Sequence, residues 1–380
     1  MSYQVSYQTP GVYREDVFPA RREALPTGVP AFLGQTANGA PNQPVRLTRF
    51  SQLAEAFGAP PAGRYLAAAV EGFFLNGGRE CLVVPLAAGD PEDALHGALA
   101  ALATRQDLDL VCAPDLHAVA EDLDQALRMQ SAILTHCAAQ GDRFALLDAV
   151  PGSGSSAVLA QRNGLGVANG ANGALYHPWL RPAGAERFVP PCGHVAGVVA
   201  RCDQRTGVHK APANEVLEGV VDLAVSLTDA DQALLHPEGV NALRAFPGRG
   251  IRVWGARTLS RTPAWTHISV RRLFLTTARW IELNLADAAF EPHDTRLWNR
   301  ITRELTTWFE RLFRAGALKG RTAAEAFFVQ CDGTTNPPEV RETGRVVTVI
   351  GLAPAVPNEF VVVRIVHGTG GVDVTGPPTS

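Results

Sequence analysis

The chain has 380 residues, 46% of them apolar and 19% charged, which supports a sizeable core and excludes a disordered protein. Its formal charge of −3 gives no global attraction to nucleic acid or to anionic lipid. No apolar run reaches the ~18 residues that a membrane-spanning helix needs, and the opening MSYQVSYQTPGVYRED lacks the basic-then-apolar order of a secretory signal.

The first 25 residues read as an extended arm. Tyr3, Val5 and Tyr7 alternate with polar residues, and Thr9-Pro10-Gly11-Val12-Tyr13 drives an extended path into a turn. A strand at a terminus with no neighbour in sequence either frays or finds a sheet edge elsewhere. From Gly28 an α/β region begins. Short apolar strands are expected at 29–34, 45–48, 81–86, 108–113 and 143–148. Between them lie helices at 52–57 (with Ser51 as its cap), 65–75, 91–104 and 121–139. That alternation predicts a parallel or mixed sheet covered by helices. Residues 151–173 turn to Gly, Ser, Ala and Asn, a loop followed by a small-residue helix. Strong patterning returns at 194–202 and 215–223.

The last third is the most patterned. A strand is expected at 250–256 and a helix at 269–285. Asp294 caps a further helix to about 315 whose apolar positions, Trp298, Ile301, Leu305, Trp308 and Leu312, form one face. The other face carries Arg300, Arg303, Arg311 and Arg314, with Glu310 set to pair with Arg314 across one turn. That arginine face is a candidate contact for an acidic partner surface or, equally, an ordinary solvated face. Strands follow at 327–331, 346–352 and 360–366. The tail from His367 is Gly/Pro/Thr-rich and reads as a mobile segment. The resulting organisation is an arm (1–25), an α/β domain (26–235), a second domain (236–355) and a terminal strand with its tail (356–380).

No catalytic constellation emerges from the residue pattern. PGSGSS (151–156) follows a strand as a phosphate loop does, but has no lysine for the phosphates and fails the serine-elbow spacing at its last glycine. An α/β enzyme using this loop is the alternative function. The glycines at 164–166 and 170–173 resemble pieces of a dinucleotide fingerprint, without the preceding strand or the later acidic residue. His177, His194, His209 and His267 lie apart, and Cys81, Cys112, Cys137, Cys192, Cys202 and Cys331 include no close pair. Buried, reduced thiols are the expectation, with no metal and no cofactor. Asp115 ends a strand where α/β proteins often hold active residues, and reads as a cap or turn aspartate.

Eight blocks in order then resemble the contractile tail sheath proteins. They are TPGVY (9–13), GVPAFLGQTANGAPNQPVRLTRFSQLAEAFG (28–58), YLAAAVEGFFLNGGREC (65–81), GVHKAPANEVLE (207–218), GIRVWGARTLS (250–260), FEPHDTRLW (290–298), FFVQCDGTTNPPE (327–339) and NEFVVVRI (358–365). VRRLFL (270–275) belongs to the same set. The resemblance implies a two-domain α/β sheath fold with mixed sheets and extended strand arms at both ends. It implies a structural subunit, not an enzyme, that polymerises with itself as stacked hexameric rings around an inner tube protein. Baseplate and terminal cap proteins are its further implied partners, without nucleic acid or membrane insertion. Assembly is implied in the cytoplasm, within a phage tail-like particle that can be released. Contraction would drive the tube through a target envelope. On this reading Tyr7, Thr9, Pro10, Gly11, Val12 and Tyr13 form one inter-subunit arm, and Phe360, Val361, Val362, Val363, Arg364 and Ile365 the other. The acidic partner of Arg300, Arg303, Arg311 and Arg314 would then be the tube. The Gly/Pro-rich residues after Ile365 extend beyond the expected end of the family pattern.

Overall fold

The computed structural model describes residues 25–166 and 168–355, and the backbone of two later strands at Val361–Gly368 and Gly371–Thr375. The expected amino-terminal arm, including Tyr7, Thr9, Pro10, Gly11, Val12 and Tyr13, lies outside the described residues, as does Phe360.

The chain opens with β1 (Pro30–Gly34), β2 (Val45–Leu47), α1 (Ser51–Phe57), α2 (Leu66–Leu75) and β3 (Cys81–Pro85). It continues through α3 (Pro91–Leu102), β4 (Leu110–Cys112), α4 (Leu116–Val119), α5 (Leu123–Gln140) and β5 (Phe144–Asp148). Then come α6 (Ser155–Gly164), β6 (Gly173–His177), β7 (Leu180–Pro182), α7 (Cys192–Arg205), β8 (Glu215–Val216) and β9 (Val220–Leu223). After α8 (Asp229–Leu235), β10 (Val240–Phe246) and β11 (Gly250–Val253) close the first part.

These strands build one nine-stranded sheet in the order β2-β3-β1-β4-β5-β6-β10-β11-β8. The run from β3 to β10 is parallel, and β2, β11 and β8 are added antiparallel at the edges. β1, β3, β5 and β6 are buried along their whole length, because helices cover both faces, and β10 is buried over its first four residues. Side-chain alternation divides each strand between two cores. Phe32, Val83 and Leu146 face α1, α2 and α7, while Leu33, Val84 and Leu147 face α3, α5 and α6.

A second part follows: α9 (Ile268–Leu285), α10 (Thr295–Arg314), α11 (Ala323–Ala326), β12 (Phe327–Gln330), α12 (Pro338–Glu342) and β13 (Val346–Leu352). Its core joins Leu273, Ile281, Ile301, Leu305, Phe309 and Ile350. Asp294 caps α10 as expected, accepting from the N–H groups of Arg296 and Leu297. The strands β14 (Val361–Gly368) and β15 (Gly371–Thr375) complete a four-stranded antiparallel sheet in the order β12-β13-β14-β15.

The structure corrects several expectations. Ser51 makes no cap bond on α1; the Gln52 side chain instead accepts from the N–H groups of Thr48 and Arg49 and closes that turn. The terminal strand carrying Val361, Val362, Val363, Arg364 and Ile365 has a partner in its own chain, since β14 pairs with β13 from Val346↔His367 to Leu352↔Val361. Part of the tail is also ordered. The run Gly371–Thr375 alternates Val with polar residues and pairs antiparallel with β14, from Arg364↔Thr375 to Gly368↔Gly371. Finally, β10 and β11 extend the large sheet past residue 235, so the division expected at 235/236 falls inside it. We propose a division near residue 260, where the second core begins.

Candidate assembly surface

In a doubly wound sheet the default ligand crevice lies at the carboxyl ends of the strands where the winding reverses, here between β1 and β4. This chain fills that crevice with its own atoms. The Asp115 carboxylate accepts from the N–H groups of Gln35 (2.8 Å), Tyr65 and Leu66 (3.2 Å), and so caps α2 from another segment. A methyl group on Gly34 would meet Asp115 Oδ2 at 2.8 Å and Leu66 Cβ at 2.9 Å. The space left beside it, walled by Gln35, Pro60, Pro61 and Arg64, is about 20 Å³, room for one water.

The 151–156 loop is likewise committed. Ser155 Oγ donates to Asp231 Oδ1 at 2.6 Å, and Asp231 also closes a capping box with Thr228. Those bonds, from Ser155 first and then Thr228, hold the Asp231 carboxyl down at about 2, which makes it a poor proton acceptor for an attacking hydroxyl. Asp148, by contrast, is pushed up to about 7 by burial, but it is buried and accepts from Cys192 N–H at 2.8 Å. Burial also raises the thiols of Cys81, Cys137, Cys192, Cys202 and Cys331, the opposite of an activated nucleophile. Burial lowers His177 and His194 to about 4, so both imidazoles are neutral in the core. Among the described residues no group of three or more His, Cys, Asp or Glu is placed to hold a metal ion.

The surface offers more than the interior. At ~100° per residue, Arg300, Arg303, Arg311 and Arg314 fall within about 80° of one another around α10. The structure separates them by what each side chain does. Arg300 is drawn inward, only 22% exposed, and binds Asp287 (2.7 Å), Glu291 and Glu304 (3.3 Å). Carboxylates on the preceding loop surround that site, which the pattern along α10 alone does not reveal. Arg314 pairs with Glu310 at 3.2 Å, as the spacing predicts. Arg311 lies 5.1 Å above the Trp308 ring, which stacks on Trp280 at 4.8 Å and 11°. Arg303 has no ion pair among the described residues.

Arg303 and Arg311 border an open groove of about 1180 Å³ floored by Trp280, Trp308 and Leu312. Leu25, Pro26 and Thr27, where the described chain begins, lie along the same groove. This entry to the fold is bolted down. Arg279 donates to Pro26 O (2.9 Å) and Gln106 O (3.0 Å). Asp109 accepts from Gly28 N–H (3.1 Å) and Val29 N–H (2.7 Å), and Arg272 then grips both Asp109 (2.7 Å) and Asp203 (2.6 Å). Burial pulls the Arg272 guanidinium down, and Asp203 and Asp109 together outweigh it and hold it above its ordinary value.

Comparison with known proteins accounts for a chain with filled crevices and an anchored amino-terminal root. Residues 90–259 match the family model for the phage tail sheath protein central domain. The tail sheath protein of Vibrio phage KVP40 is 29% identical over 188 residues, covering 47% of this chain and 26% of that protein. Among solved structures, the anti-feeding prophage helical sheath in its contracted state is 31% identical, with a TM-score of 0.74 over 93% of this chain and 98% of that one. The chain belongs to the contractile tail sheath family. A second sheath, that of the extracellular contractile injection system PVC in its contracted state, aligns at 25% identity and TM-score 0.75, over 93% of this chain and 96% of its own. The mixed α/β fold is thus the fold of a contractile sheath subunit. The curated phage relative is longer: the match spans about a quarter of its length. Sheath family membership identifies a structural protein, and the related structures come from phage tail-like particles.

Proposed function

We propose that the chain is the structural subunit of a contractile sheath, stacking as hexameric rings around an inner tube and contracting without an enzymatic step. The observation that carries this reading is the end-to-end likeness to the contracted anti-feeding prophage sheath at 31% identity. The filled β1/β4 crevice and the committed Ser155 support the non-enzymatic part. The extended sheath is then the metastable state, and the rearrangement of subunit contacts supplies the work. The baseplate and a terminal cap are the further partners, with assembly in the cytoplasm.

Linkage between subunits falls to the two terminal strands. Val361 to Ile365 pair with β13 of their own chain when the subunit stands alone, and the Pro-rich link at 354–357 is the place for an exchange. The same register on a neighbour's β13 forms the same bonds between chains, the logic of a swapped element. The arm at residues 7–13 adds a strand to an open sheet edge of another subunit. Each backbone hydrogen bond contributes ~0.5–1.5 kcal/mol net, so several together hold one link. Negative-stain electron microscopy of the purified full chain, with and without residues 1–20, tests this. Tubes or stacked rings are expected for the full chain and single subunits for the truncated one. A full chain that stays a small monodisperse particle across salt and concentration overturns the assembly reading.

The tube contact we assign to Arg303, Arg311 and Arg314, with Arg300 bracing its own loop. Reversing Arg303 and Arg311 to Glu is expected to weaken co-sedimentation with the tube at least ten-fold and to leave the subunit's unfolding midpoint unchanged. Both side chains lie outside the core, and contacts of this kind weaken with added salt. Undiminished tube binding by the double variant rejects the assignment.

A further inference from the structure

Phe290 is 100% exposed, a whole aromatic side chain in water. Its backbone sits at φ 68, a region that a non-glycine residue occupies only under strain. The loop that presents it is nevertheless braced. Arg300 reaches back from α10 to Asp287 on one side of Phe290 and to Glu291 on the other. His293 bonds Arg345 O at 2.8 Å, and Asp294 caps α10. The chain therefore holds a strained residue in place and gains no burial from it within the subunit. A rigid bare aromatic of this kind is the usual anchor of a protein contact.

A fitting receptor lies elsewhere on the same chain. Between β9 and the β10–β11 hairpin is a concavity of about 500 Å³, walled by Val220, Val221, Leu223, Phe246 and Ile251. Val221 at its edge is 58% exposed. Arg244 and Arg249 each stand 5.7 Å from the Phe246 ring centre. Among the described residues neither Arg249 nor Arg252 has a carboxylate partner. The charges are complementary: 244–252 (RAFPGRGIR) holds three arginines, of which Arg244 pairs with Asp229 at 2.8 Å, and no acid, while 286–294 (ADAAFEPHD) holds three carboxylates, two of them reached by Arg300, and no Lys or Arg of its own.

We propose that Phe290 inserts into the concavity between β9 and the β10–β11 hairpin of a second copy of this chain, with the acidic loop meeting the hairpin's arginines. Knob and socket occupy different places on one subunit, so the contact is heterologous and propagates as a closed ring or a helix. The inference rests on the self-assembly reading above and adds a named contact to it.

The test replaces Phe290 with benzoylphenylalanine in the full-length chain, irradiates assembled particles made from mixed isotope-labelled and unlabelled subunits, and maps adducts by mass spectrometry. Adducts between copies at 220–227 or 244–251 are expected. Interchain adducts elsewhere, or none in a normally assembled sheath, overturn the proposal. In parallel, Phe290→Ala is expected to keep the monomer's unfolding midpoint and to raise the concentration for half-assembly about ten-fold or more, the size of an interface anchor. Phe290→Gly, which relieves the positive φ, is expected to unfold at the same or a higher temperature and to assemble equally poorly. Variants that assemble like the parent refute the knob and leave the sheath reading standing. A parent chain that never assembles refutes both.

Discussion

Replacing Arg272 with Met is expected to destabilise the subunit by about 3–5 kcal/mol, measured by chemical denaturation, because it strands two buried carboxylates. Asp109 and Asp203 are the partners of its guanidinium at 2.7 and 2.6 Å, and all three side chains are at most 5% exposed. The loss is larger than the worth of the ion pairs themselves, since the remaining charges cannot regain water. Two further measurements separate this cause from lost packing. Burial already raises the Asp203 carboxyl above its ordinary value against the pull of Arg272, and the variant removes that pull. The resulting penalty is therefore fully present at neutral pH and is relieved as pH falls toward the unfolded carboxylate range. The deficit against the parent is expected to shrink between pH 7 and pH 4.5. Adding Asp203→Asn to Arg272→Met is expected to recover part of the loss at pH 7. A deficit that stays constant with pH points to packing and rejects the charge argument.

On the proposed linkage the same cluster would also matter to the assembled state. Asp109 also holds Gly28 and Val29, immediately after the expected arm, and Arg279 on the same helix holds Pro26. Tension arriving along residues 1–25 would pass into α9 and β4 at once, tying the two parts of the subunit together under load.

How much of this was legible in the sequence depends on the range of the interaction. α10 was readable because its apolar positions recur at three and four and Asp294 supplies a local cap. The alternation from β1 to β5 was readable because each strand is a short apolar run closed by glycine, proline or a helix start. β10 was not. VNALRAF has no period-2 pattern, being buried only over Val240 to Leu243, and its partner β6 lies about 65 residues earlier. β15 was hidden by glycines and prolines around it, whereas β14 was readable as the apolar run after the Pro-rich link. On α10 the arginine face was visible, but the inward turn of Arg300 depends on Asp287 and Glu291 across a loop. Phe290 opens the FEPHDTRLW block, but nothing in that run marks its side chain as exposed.

The contact between α2 and α7 is the place where a single methyl group has the largest leverage. A Cβ on Gly193 would stand 2.2 Å from Ala69 O and 2.4 Å from Ala69 Cα, and one on Gly197 would stand 2.5 Å from Phe73 O. The neighbours are backbone atoms inside a helix, so no rotamer change makes room. The helices are joined further by Arg201 of α7, which donates to Asn76 O at the end of α2 at 3.1 Å. Gly193→Ala should therefore separate α2 from α7 and cost about 1–3 kcal/mol, with Gly193→Val at or beyond the upper end. Helix propensity works in the opposite direction, since Ala exceeds Gly by ~1 kcal/mol in a helix interior, so a net loss isolates the steric effect. Gly333→Ala, with nothing within 4 Å of its Cβ, serves as the comparison and is expected to stay within about 0.5 kcal/mol of the parent. If Gly193→Ala were neutral or stabilising, the two helices would have to slide apart freely. The face of the sheet they cover would then be soft, and these helices could not transmit force between the β2 edge and the rest of the subunit.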